Sequence, residues 1–148
     1  MLAEASSSRT TQLILSADDE PAILTTREML LESAGYKVLS AADGEQALSL
    51  FARNPVDLVL LAFAMAGLNG SEVAQELKSR NAAVPIIMVS ASPLLGDTIP
   101  CVDCFIQKGQ GPKLLLEQMD QLLTSQSIRQ HAKSVQYYVI PGGPVAPE

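Results

Sequence analysis

Short apolar runs alternate along the chain with stretches whose apolar residues recur every three or four positions. Gln12–Ala17 is mostly apolar, ends at the acids Asp18, Asp19 and Glu20, and has the length of a buried strand. Pro21 then suits the first turn of a helix. Ile23, Leu24, Leu30, Leu31 and Ala34 follow at helical spacing, and Gly35 suits the helix end. Tyr36–Ser40 reads as a second strand. A second helix is predicted from Asp43-Gly44 through Ala47, Leu48 and Phe51, stopping before Asn54-Pro55. Val56–Phe63 is a third strand, apolar except for Asp57, as expected where helices cover both faces of a sheet. Ala64–Gly70 is a loop, Ser71–Arg80 a helix, and Pro85–Ser90 a fourth strand.

The rhythm breaks at Ser92–Pro100, where Pro93, Gly96 and Pro100 oppose a full helix. Only 17 residues separate Ser90 from Lys108. A helix reduced to a turn, or missing, is therefore expected between the fourth and fifth strands. Val102–Gln107 is the fifth strand, and Pro112 opens a last helix running to about Lys133. The order predicts an α/β fold, a doubly wound five-stranded parallel sheet with helices on both faces. Residues 1–10 read as a flexible leader, 11–130 as the domain and 131–148 as a tail. The apolar tail segment Val135–Ile140 suits a cover for the gap left by the missing helix, a strand added to a neighbouring molecule, or equally a floppy tail.

Composition narrows the function classes. One domain fits 148 residues, and an apolar fraction of 47% supports a packed core. Ten basic against 16 acidic residues leave a net charge of −6, which argues against nucleic-acid and anionic-membrane partners. No apolar run is long enough for a membrane span, and Met1–Thr10 lacks a signal-peptide pattern, so a cytoplasmic location is expected. Cys101 and Cys104 form a C-x-x-C pair that leads into a strand rather than opening a helix, so both are read as small core residues. His131 stands alone.

In such sheets, sites form at the carboxyl ends of the strands. Here those positions are Asp18, Asp19, Ala62, Ser90 and Lys108. Their surroundings resemble the CheY-like response-regulator receiver domain. The matching text is Ile14-Leu-Ser-Ala-Asp-Asp-Glu20, Gly35-Tyr-Lys-Val38, Ala41-Ala-Asp-Gly-Glu-Gln-Ala47 and Asp57-Leu-Val-Leu-Leu61. It continues through Met65-Ala-Gly-Leu-Asn-Gly70, Val84-Pro-Ile-Ile-Met-Val-Ser-Ala91 and Phe105-Ile-Gln-Lys108.

The resemblance implies a flavodoxin-like strand order 2-1-3-4-5 and a role in phosphorelay signal transduction. It implies that Asp18 and Asp19 sit where the family holds magnesium, that Ser90 and Lys108 sit where it contacts phosphoryl oxygens, and that Phe105 is at the switch-aromatic position. The family's phosphoacceptor aspartate falls on Ala62, in Leu60-Leu61-Ala62. Ala66 and Gly109 depart from the family's prolines nearby.

A methyl group cannot accept a phosphoryl group, so the expectation is a non-enzymatic pseudo-receiver with no cofactor and at best weak magnesium binding. Its partner would be a signalling protein, a kinase or an output protein, with a homodimer as a further option. The alternatives are a small-molecule-binding flavodoxin-like module and an active receiver inactivated by an aspartate-to-alanine change. Each site residue has a plainer reading too. Asp18 and Asp19 suit a helix N-terminus, Lys108 an ion pair with them, Ser90 a strand-end hydroxyl and Phe105 a fixed core aromatic.

Overall fold

The computed structural model describes residues 11–91 and 101–124, together with the backbone of 136–138. Strand β1 spans Leu13–Ala17, helix α1 Pro21–Ser33, strand β2 Lys37–Ala41, helix α2 Gly44–Arg53 and strand β3 Leu58–Ala62. Helix α3 (Gly70–Arg80), strands β4 (Ile86–Ser90) and β5 (Cys104–Gln107), helix α4 (Pro112–Thr124) and strand β6 (Gln136–Tyr138) complete the order. All strand pairs are parallel, and the order across the sheet is β2-β1-β3-β4-β5-β6.

Helix starts follow local chemistry. Asp43 accepts a hydrogen bond from the Gln46 amide at 2.8 Å, which satisfies a free donor at the start of α2. Asn69 and Glu72 exchange bonds of 2.9 Å in a capping box that opens α3. Pro21 stands in the first turn of α1. Gly35, at a φ of 100°, lets the chain reverse after that helix into β2.

The sheet is buried on both faces. Leu15, Val59, Leu61 and Ile86 pack under α2 and α3 with Ala47, Val73 and Leu77. Ile14, Leu58, Leu60 and Ile87 point the other way, against Leu31 of α1 and Met119 and Leu123 of α4. Consecutive residues of β3 therefore serve opposite cores, which explains its unbroken apolar run.

The five-stranded order 2-1-3-4-5 expected from the sequence is present, and β6 extends it. Within the segment read as a tail, Gln136–Tyr138 lies parallel to β5 of its own sheet, with Cys104 opposite Gln136. Two strands are shorter than their apolar runs. Asp57 precedes β3 and accepts from the Leu13 amide at 2.8 Å, and Asp103 precedes β5 and accepts from the Ile86 amide at 2.8 Å. In each case a carboxylate, not a backbone carbonyl, receives the first amide of the neighbouring strand. The segment 92–100, where a reduced or missing helix is expected, the leader, the expected end of the last helix near Lys133 and His131 lie outside the described residues.

Gly70 ties this frame to the strand ends. Its amide donates to the Phe63 carbonyl at 2.7 Å. A Cβ at that position would stand 2.5 Å from the Ala62 carbonyl oxygen and 2.8 Å from the Met88 sulfur. Gly70→Ala is therefore expected to destabilise the fold by about 1–3 kcal/mol, as overpacking does. Urea denaturation measures it; an unchanged midpoint would contradict so close an approach.

Candidate functional site

Hydrogen bonds across the carboxyl edge of the sheet gather the candidate residues. The Asp18 amide donates to the Ala41 carbonyl at 3.0 Å, Phe63 to Val89 at 2.9 Å, and Lys108 to Ser90 at 2.8 Å. These bonds continue the strand ladders past the strand ends, so Asp18, Ala62, Ser90 and Lys108 come from four neighbouring strands of one edge.

Asp18 is the centre of the cluster. Its side chain is 1% exposed, yet it is a carboxylate. One oxygen, Oδ1, accepts from the Glu20 amide at 3.0 Å. The other, Oδ2, accepts from Lys108 Nζ at 3.4 Å and stands 3.9 Å from Arg27 Nη2. Lys108 also reaches Glu20 Oε1 at 3.9 Å. The sequence led to an expectation that Lys108 would face both Asp18 and Asp19. Instead it meets Asp18 and Glu20, while Asp19 is exposed, because consecutive residues leaving an extended strand point in opposite directions.

Sequence reasoning missed Arg27. It projects from the buried side of α1, one turn before the fully buried Leu31. Its Nη1 donates to Ser16 Oγ at 3.4 Å. Burial pulls its pKa below the ordinary guanidinium value, and the charge of Asp18 opposes that shift. The available signal was its spacing: Arg27 lies four residues after Ile23 and four before Leu31, so a cation falls on the apolar stripe of α1.

Ala62, at 1% exposure, ends β3 among apolar neighbours, and Phe105 is fully buried in the same core cluster. Ser90 is buried at the end of β4. The two cysteines separate. Cys104 opens β5 and is buried, and burial, with Asp103 adding to it, pushes its thiol up to about 12. Cys101 is exposed, which corrects its reading as a core residue. It sits at a φ of 68° before the strand begins, so the alternation of β5 does not reach it.

Residues 14–120 match the response regulator receiver domain family. The probable transcriptional regulator ycf27 of Porphyridium aerugineum is 43% identical over 106 residues, which cover 69% of this chain and 44% of that protein. The response regulator SaeR of Staphylococcus aureus is 30% identical over 115 residues, covering 75% of this chain and 50% of that protein. This chain thus spans about half the length of the curated relatives it matches.

Among solved structures, a CheY-like receiver domain protein from Methanospirillum hungatei superposes with a TM-score of 0.76 at 26% identity, covering 80% of this chain and 98% of that one. The response regulator TrrA of Thermotoga maritima, solved in complex with magnesium and BeF, gives 0.73 at 31% identity over 76% of this chain and 99% of that one. The fold and these similarities define a class, the response-regulator receiver domains. The chain belongs to the response regulator receiver domain family.

Proposed function

We propose that this chain is a pseudo-receiver of two-component signalling, one that takes no phosphoryl group itself and acts by contact with another signalling protein. The observation that carries the reading is the methyl group of Ala62 at the carboxyl end of β3, where the family resemblance calls for a carboxylate. Acyl-phosphate formation needs a carboxylate nucleophile. Asp57, the nearest acid along that segment, precedes the strand at its other end and holds the Leu13 amide.

The residues present do not fit the family's magnesium. Magnesium demands several oxygen ligands in near-octahedral geometry. Ala62 offers no side-chain oxygen. Asp18 already gives one oxygen to the Glu20 amide and the other to Lys108. Among the described residues, no three His, Cys, Asp or Glu side chains converge as a metal site. Arg27 and Lys108 supply the positive charge that Asp18 requires.

Receiver domains work through kinases and output domains. In this reading the present chain meets such a partner without a phosphorylation switch. No helix among the described residues is long and apolar enough to cross a membrane. A cytoplasmic site of action accords with the expected partners.

Titrating magnesium together with beryllofluoride, while following the amide signals of Asp18, Asp19, Ser90 and Lys108, tests the reading. The expected result is small shifts that do not saturate at millimolar magnesium. Saturable shifts centred on those four amides would overturn it.

A further inference from the structure

Beside the carboxyl-edge cluster lies a cavity of about 540 Å³ between α1 and the loop joining β5 to α4. The volume falls in the range of small-molecule sites. Ile23, Leu30, Ile106 and Leu115 give it apolar walls. Gly109 and Gly111 shape the loop side at φ values of 96° and 91°, in the left-handed region that favours glycine.

Of the polar side chains that line it, Arg27 and Lys108 only donate, while Thr26, Gln107 and Gln110 both donate and accept. Arg27 and Lys108 line the cavity, and among the described residues that line it none is acidic. Behind the wall, these two cations share one buried carboxylate, Asp18. Glu20, the other acid near Lys108, is 62% exposed and 3.9 Å away. One buried carboxylate does not balance two cations, and the desolvated guanidinium of Arg27 gains most from a further anion. Gln110 also lines the cavity, and its Nε2 is buried with no hydrogen-bond partner. A buried donor left unpaired costs free energy that a ligand acceptor would recover.

We infer that this cavity binds a small amphipathic carboxylate, its apolar body between α1 and α4 and its carboxylate toward Lys108, Arg27 and Gln110. Charge complementarity selects the anion and the apolar walls select its body. Such a site would give a receiver without a phosphoacceptor an input by ligand binding in place of phosphorylation, beside the same sheet edge.

Three probes of one chain length separate the contributions. Decanoate, decanol and decylamine carry the same apolar body with an anionic, a neutral and a cationic head. Isothermal titration calorimetry of the full chain below each probe's micellar range gives the affinities, and amide shifts locate the site. Decanoate is expected to bind saturably, with shifts at Ala22, Thr26 and Gln110, at least tenfold more tightly than decanol, and decylamine not at all. Gln110→Leu is expected to weaken decanoate about tenfold, the worth of one hydrogen bond to a charged group. Ala22→Trp, at an exposed lining position, is expected to fill the mouth and abolish binding. Equal binding of all three probes, decanoate binding unchanged in Ala22→Trp, or no saturable binding of decanoate would each overturn the inference.

Discussion

Asp18→Asn is expected to destabilise the fold by about 3 kcal/mol, the lower end of the cost of stranding a buried charge. The amide keeps an oxygen for the Glu20 amide, but an NH2 replaces the oxygen that accepts from Lys108, so the charge and that hydrogen bond are lost together. Arg27 is then left 9% exposed without its counter-charge, and Lys108 loses its closer acid. The 3.9 Å separation of Arg27 and Asp18 places the expectation at the lower end. Arg27→Met should cost far less, within about 1 kcal/mol, because an apolar side chain of similar length replaces a desolvated cation while Asp18 keeps Lys108. Urea denaturation of both variants at neutral pH checks the pair. A larger loss for Arg27→Met than for Asp18→Asn would contradict the arrangement, because the charge requiring compensation would then not be the one on Arg27.

Stability is also expected to fall steeply in alkali. The Cys104 thiol is pushed from 9.0 up to about 12 by burial first and by Asp103 second. Below pH 9 the thiol is protonated whether the chain is folded or unfolded, and it contributes no pH dependence. Between 9 and about 12 the unfolded chain releases this proton and the folded chain retains it. The folded state then binds more protons, so stability falls by about 1.4 kcal/mol per pH unit from this group. The Tyr36 hydroxyl, raised by burial and by Asp120, shifts stability the same way at the upper end of the range. Denaturant titrations at pH 8, 9, 10 and 11 on the native chain and on Cys104→Ala read the slope. The variant should lose most of the dependence between pH 9 and 10; equal slopes for both proteins would contradict the burial of Cys104.

The fold was legible because its signals are short-range and repeated. Apolar runs of strand length, helical spacing between them and Gly35 after a helix give the alternation of strands and helices, and the family resemblance adds the sheet order that places Asp18, Ala62, Ser90 and Lys108 along one edge. What escaped depends on contacts between distant parts of the chain. Asp57 and Asp103 look like interruptions in apolar runs until the Leu13 and Ile86 amides are seen to donate to them. Arg27 looks like a surface cation on a helix until Asp18, nine residues earlier, is found beneath it. Val135–Ile140 reads as a candidate strand, but three residues of pairing are too few for alternation to say that β6 joins β5 of its own sheet. Cys101 required its φ of 68°, which a residue type other than glycine seldom signals.

In the proposed pseudo-receiver the methyl group of Ala62 stands where the family resemblance calls for the nucleophile. The most direct measurement is intact mass spectrometry of the full chain after incubation with acetyl phosphate and magnesium, run beside Ala62→Asp. The native chain is predicted to gain no phosphoryl mass over hours, while Ala62→Asp gains it slowly, held back by the altered loops at Ala66 and Gly109. A phosphoryl group on the native chain, mapped by peptide sequencing to Asp18, Asp19 or any other aspartate, would contradict the account.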